Sequence, residues 1–149
     1  MFKLSTDGRL NKWKNFRRYI GKLSLQSAMQ ETVQFWQPCP FSPFYLDQTN
    51  PQSWPDPWTL IEENYYCDLA KVLGIVYTLV LSDHRDAIEP EIHIYHNQKT
   101  KHHHHIAYFC QGKYVINLIE GEVVNKEHII QPLALKTRYT ASQLYLDQY

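Results

Sequence analysis

Cysteine is scarce in this chain: Cys39, Cys67 and Cys110 are the only three, and no two form a CxxC pair. An odd, sparse set argues against a disulfide framework, points to a reducing compartment during folding and rules out a cysteine-rich zinc site. Glycine is scarce too, five in 149 residues, and no GxGxxG, GxxxxGK[ST] or GxSxG occurs. A phosphate-cradling loop therefore has no sequence to build it. Long apolar runs are missing: the longest, Leu73–Leu81, includes Gly74, Tyr77 and Thr78 and is about half a membrane span. Met1–Ile20 carries six Lys or Arg and no apolar stretch, so it does not read as a secretory signal. The expectation is a soluble protein of the cytosol, or one assembled there into a larger particle, that makes no use of membrane.

Net charge is also lacking, with fifteen residues of each sign. An isoelectric point near 7.1 argues against a nucleic-acid partner. The charge is unevenly spread: residues 1–25 carry a net +6, residues 26–98 a net −8 and residues 99–149 a net +2. A basic helix on an acidic body suggests a docking arm. Aromatic side chains, by contrast, are plentiful at 14%, and Tyr and Trp favour interfaces.

Leu10, Trp13, Phe16 and Ile20 recur at helical spacing, with Lys12, Lys14, Arg17 and Arg18 between them and Gly21 as a C′-like stop. Ser24 offers an N-cap for a second helix that ends before Pro38. Residues 38–57 hold six of the eight prolines together with Phe41, Phe44, Tyr45, Leu46 and Trp54, which reads as an ordered aromatic loop. Asp56-Pro57 is a helix start. The stripe Trp58, Ile61, Tyr65, Leu69, Val72 and Leu73 predicts one helix running to about Leu73, with Gly74 ending it. Beyond Gly74 the period falls to two. Ile75–Ser82, Glu91–His96, His103–Cys110, Lys113–Leu118 and Glu122–Asn125 are predicted strands, and Thr140 caps a short last helix through Leu146. Short links imply an antiparallel meander. The fold class is α+β, one domain over 1–149: a basic helical arm (1–37), a proline and aromatic loop (38–56) and an α+β core (57–149).

The order Cys67, then His102–His105, then Asn117 is that of thiol enzymes, in which a base activates the thiol and a third group orients the base. The run Cys67-Asp68-Leu69-Ala70-Lys71-Val72-Leu73-Gly74-Ile75, followed by His104 or His105 and by Gly112-Lys113-Tyr114-Val115-Ile116-Asn117, resembles the transglutaminase-like branch of the papain-like fold over about residues 56–119. The resemblance implies helices packed on an antiparallel meander, with a site drawn from Cys67, His104 or His105, and Asn117. In that family the Cys opens the helix, about fourteen residues before the Leu matching Leu73. Counting back reaches Thr59, so Cys67 is expected two turns into the helix, away from the dipole that favours a thiolate. On that count the fold is kept and the chemistry lost.

The chain also resembles small proteins of tailed bacteriophages, cyanophage-like ones above all, through Ser53-Trp54-Pro55-Asp56-Pro57-Trp58-Thr59-Leu60-Ile61, Tyr66-Cys67, Leu73–Leu79 and the ending Tyr139-Thr140 to Leu146-Asp147. That resemblance implies a virion component assembled in the host cytoplasm, in a tail, baseplate or neck. Its partners would be other virion or assembly proteins or a second copy of itself.

The run His102-His103-His104-His105 alternates between two faces of a strand. An alternate pair on one face can ligate a metal, with His93 or His96 as a third ligand, and His93, His102 and His104 are the set expected if a metal is bound.

The leading expectation is therefore a non-catalytic assembly protein that needs no cofactor or metal. It docks through Lys12, Trp13, Arg17, Arg18, Phe41, Phe44, Trp54 and Trp58, and removal of residues 1–22 leaves the core folded. The alternatives are a thiol hydrolase or acyltransferase using Cys67, His104 or His105, and Asn117, and a metal module on His93, His102 and His104.

Overall fold

The computed structural model describes residues 1–43 and 46–149; Phe44, one of the expected docking residues, lies outside the described residues. Helix α1 (Thr6–Ile20) starts at Ser5, whose hydroxyl accepts from the Gly8 N–H, and it buries Arg9, Trp13 and Ile20. Its last turn carries Arg17 and Arg18, where cations complement the helix dipole. Gly21 ends it with a right-handed φ of −59° instead of the left-handed C′ geometry. Helix α2 (Leu25–Trp36) is capped by Ser24 as expected and buries Ala28, Met29, Thr32, Val33 and Trp36.

The next helix departs from its sequence pattern. Asp56 and Pro57 do start α3 (Pro57–Glu63), with the Asp56 carboxylate accepting from the Thr59 N–H at 2.8 Å. The helix then stops at Asn64, which takes a left-handed φ of 56°. A new helix, α4 (Asp68–Val80), begins four residues later. The segment Ile75–Ser82, expected as a strand, is mostly the second half of α4. Every residue from Val72 to Val80 is buried, so no polar face marks a 3.6-residue period, and tertiary packing overrides the β-branched composition. Gly74 does not end the helix either. A Cβ there would lie 2.3 Å from the Trp36 indole, so the glycine lets α2 and α4 touch.

After a short helix α5 (Arg85–Ile88), five strands follow: β1 (Glu91–Asn97), β2 (His103–Phe109), β3 (Tyr114–Ile116), β4 (Val123–Val124) and β5 (Leu133–Thr140). The antiparallel order is β4-β3-β2-β1-β5. β1 to β4 form the expected meander. β5, which the sequence pattern left unassigned, returns to pair with the free edge of β1. The expected last helix is a set of turns ending in a 3-10 turn, Leu146–Gln148, with Leu144 and Leu146 buried.

α1, α2, α3 and α4 bury their apolar faces in one core shared with Ile92, Ala107, Phe109 and Ile116 of the sheet. Trp13, expected at a docking surface, is only 1% exposed. Its indole N–H donates to the Thr78 hydroxyl at 2.9 Å, the Trp36 N–H does the same, and Thr78 donates onward to the Gly74 carbonyl. Helix α1 is thus an integral part of the core, and deleting residues 1–22 would take Trp13 and Ile20 out of it. The class is α+β: helices packed on one five-stranded antiparallel sheet.

Candidate active site

The break at Asn64 decides where Cys67 sits. It is the N-cap residue of α4, with extended backbone (φ −75°, ψ 175°), and its carbonyl accepts the Lys71 N–H at 3.0 Å. The count that put Cys67 two turns into a helix fails because α3 and α4 are separate. Leu73 lies six residues downstream, inside the helix that Cys67 opens. Thr59, where the fourteen-residue count landed, belongs to the first turn of α3. An anionic sulfur at Cys67 would face the unpaired N–H groups and the positive dipole end of a thirteen-residue helix. The side chain is buried, reached through the mouth of a cleft.

Of His104 and His105, it is His105 that lines a cleft with Cys67. On β2 the side chains at 103, 105, 107 and 109 turn toward the helices, where Ala107 and Phe109 enter the main core. Those at 104, 106 and 108 turn to the other face, where Ile106 joins Tyr95 and Val115. His104 pairs across the ladder with Tyr95, and its Nε2 is buried without a hydrogen bond. Of the two candidate bases, the strand parity thus keeps His105 and removes His104.

Asp68, adjacent to Cys67, orients His105, a role the sequence pattern gave to Asn117. His105 Nδ1 lies 3.0 Å from Asp68 Oδ2. Burial opposes the charge on Asp68, but hydrogen bonds from His105 and Asn117 outweigh it and hold the carboxyl below the usual carboxylate range. The carboxylate is therefore an acceptor, and Nδ1 carries the proton. Asn117, in left-handed backbone just past β3, donates its amide to Asp68 Oδ1 at 2.9 Å and to the His105 carbonyl at 2.8 Å. It braces the carboxylate and the strand instead of the imidazole.

Cys67, Asp68 and His105 line a cleft of about 570 Å³ with Phe41, Gln48, Leu69, Lys101, His102 and His103, among others. The proline-rich segment supplies its outer wall. Ser42 N–H bonds to the Tyr66 carbonyl, and Phe41 pairs with Tyr66 in a parallel bridge, which places this segment beside the nucleophile. Gln48 meets two of the histidines. Its Oε1 lies 3.0 Å from His105 Nε2, and its amide lies 2.8 Å from His103 Nδ1. Burial, then the charges of Lys136, His96 and His105, push His103 below the usual imidazole range.

The other expected docking residues are scattered. Lys12 and Arg18 are exposed, and Arg17 lies half-buried over the Trp13 ring at 4.2 Å. Phe41 is 73% exposed and Trp58 44%, while Trp54 packs edge-on against Tyr139. The expected metal set is not assembled. His93 bonds Glu91 at 2.7 Å and stacks on Tyr108, His104 turns away, and His102 lies at the cleft. Among the described residues no three His, Cys, Asp or Glu side chains gather in a set able to hold a metal ion.

No family model and no curated protein matches the sequence. Solved structures do match the fold. EGTA-treated LapG of Legionella pneumophila superposes with a TM-score of 0.71 at 14% identity, over 91% of this chain and 74% of that one. A second LapG structure gives 0.70 at the same identity, over 91% and 75%, and the calcium-bound form gives 0.63, over 94% and 82%. At this identity the likeness is one of fold: α+β and transglutaminase-like. The neighbours are bacterial and lend no support to a tailed-phage origin.

Proposed function

We propose that this chain is a thiol-dependent hydrolase or acyltransferase, with Cys67 as nucleophile, His105 as general base and acid, and Asp68 as the group that orients His105. One observation carries the reading: the residue that caps α4 is a cysteine, and it shares a cleft with an imidazole whose Nδ1 is fixed by a carboxylate. A thiol is a weak nucleophile until a base takes its proton, and the base works only if held in the right tautomer. Asp68 supplies that restraint, and Asn117 supplies it to Asp68.

The chemistry follows from those positions. Cys67 passes its proton to His105, and the sulfur attacks the carbonyl carbon of an acyl donor. The tetrahedral adduct collapses to a thioester as the leaving group departs with the proton from His105. Water (hydrolysis) or an amine (transfer) then gives a proton to His105 and attacks the thioester, and the thiol recovers that proton on release. An assembly role with virion partners is not carried forward, because neither the cleft nor the structural likenesses favour it.

The test uses p-nitrophenyl acetate, a small acyl donor, with the full chain. Mass spectrometry is expected to find an acetyl thioester on Cys67 that forms and decays, and that does not form in Cys67→Ser or forms far more slowly in His105→Ala. An acetylation rate at Cys67 indifferent to His105→Ala would sink the reading.

A further inference from the structure

We infer that Gln48 is a latch on the catalytic base: its side chain occupies the ring nitrogen of His105 that Cys67 needs and must swing away before the thiol can react. The inference rests on the assignment of Cys67 and His105 proposed above, and it adds a resting state to that site.

An imidazole has two nitrogens, and both of those on His105 are engaged. Nδ1 meets Asp68 Oδ2 at 3.0 Å and Nε2 meets Gln48 Oε1 at 3.0 Å. Turning the Gln48 amide over would put its N–H group at Nε2 instead, and the nitrogen would be used up either way. Among the described residues the Cys67 sulfur makes no hydrogen bond. No route therefore joins thiol and base until one of the two contacts is exchanged.

The two contacts are held very differently. Asp68 is in the first turn of α4, next to the nucleophile, and its second oxygen is held by Asn117 at 2.9 Å. Gln48 lies in a turn of the connecting segment, three residues before the short 3-10 helix Pro51–Ser53. Its backbone is nonetheless anchored. Tyr139 O–H donates to the Gln48 carbonyl at 2.7 Å, Trp54 Nε1–H donates to the Asp47 carbonyl at 2.6 Å, and the Trp54 and Tyr139 rings meet edge-on. His103 steadies the amide from the other side at 2.8 Å. A fixed backbone with a side chain rotatable about three bonds makes a reversible latch: the amide can leave His105 while Tyr139 keeps the loop in place.

The experiment compares alkylation rates of Cys67 by iodoacetamide at neutral pH in the full chain, read by peptide mass spectrometry. Cys39 and Cys110 serve as internal controls, their thiols both pushed up by burial. Gln48→Ala should quicken Cys67 about three- to tenfold, as release of one hydrogen bond of ordinary net strength would, with the control rates unchanged. Gln48→Glu should slow it, because a carboxylate at Nε2 favours the protonated ring, which cannot take the thiol's proton. His103→Ala should quicken it less than Gln48→Ala. If His105→Ala slows Cys67 but Gln48→Ala leaves it equal or slower, the latch is wrong and the thiol-enzyme reading stands. If His105→Ala changes nothing in either the wild-type or the Gln48→Ala background, the assignment of the site falls and the latch with it. Opposite signs for Ala and Glu are a readout that loosened loop packing would not give.

Discussion

The side-chain amide of Asn117 lies 2.9 Å from Oδ1 of Asp68 and meets His105 only at its backbone carbonyl. A donor is required at 117, because the atom opposite it is a carboxylate oxygen. Asn117→Asp would set two carboxylates against each other at hydrogen-bond distance, at a cost of about 1–4 kcal/mol in a partly solvated site. It is expected to slow Cys67 acetylation by at least about tenfold, more than Asn117→Ala does. Rates measured with p-nitrophenyl acetate check this, and an Asn117→Asp variant faster than wild type would contradict it.

The Thr78 hydroxyl accepts from two buried indoles, Trp13 and Trp36. Thr78→Val keeps the shape and strands both N–H groups away from water. The expected loss is about 2–6 kcal/mol, since each of the two orphaned donors costs about 1–3 kcal/mol. Thr78→Ser should cost about 1 kcal/mol or less. Urea unfolding midpoints separate the two variants.

Gly74→Ala poses propensity against packing. In an open helix interior alanine is better than glycine by about 1 kcal/mol. Here its Cβ would fall 2.3 Å from the Trp36 ring, and the overpacking is expected to win, with a net loss of about 1–2 kcal/mol. A variant as stable as wild type by denaturant titration would show that α2 can move aside.

These elements also explain what could be read from the sequence. Ser24 and Asp56-Pro57 announced their helices because capping is local chemistry. Alternation announced β1 and β2 because one face of each is apolar. The second half of α4 was hidden because burial all round erased its period, and Tyr65 and Leu69 continued the stripe past Asn64, which masked the left-handed stop. β5 has no fully buried residue and follows Pro132, so it carries little hydrophobic signal. Cys67 and Asn117 were legible as chemistry, but strand parity alone left two faces for the histidines. The choice of His105 depends on Asp68, 37 residues away, and Gln48 sits in a segment with no periodicity to reveal its reach.

His93 gives the stability a pH dependence with a definite sign. Burial holds its imidazole below the usual range, against the pull of Glu91 at 2.7 Å, with Arg138 also lowering it. The unfolded chain, titrating near pH ~6.5, therefore binds the proton more readily than the folded one. Stability is expected to be full above that pH and to fall as pH drops below it. Asp68, held low, titrates well beneath that window. His93→Gln should flatten the decline between pH 7.5 and 5.5 when urea midpoints are compared at each pH. An equally steep decline in the variant would assign it to another group.

The bonds at Thr78 also bear on how Cys67 is aimed. A hydroxyl with two indole donors and the Gly74 carbonyl as acceptor leaves α4 no freedom to turn about its axis or slip along it without losing several bonds together. The heading of the sulfur at the far end of that helix is thus set by tryptophans at positions 13 and 36. Variation in the first two helices that disturbs these bonds should surface as altered chemistry at Cys67 as well as lost stability.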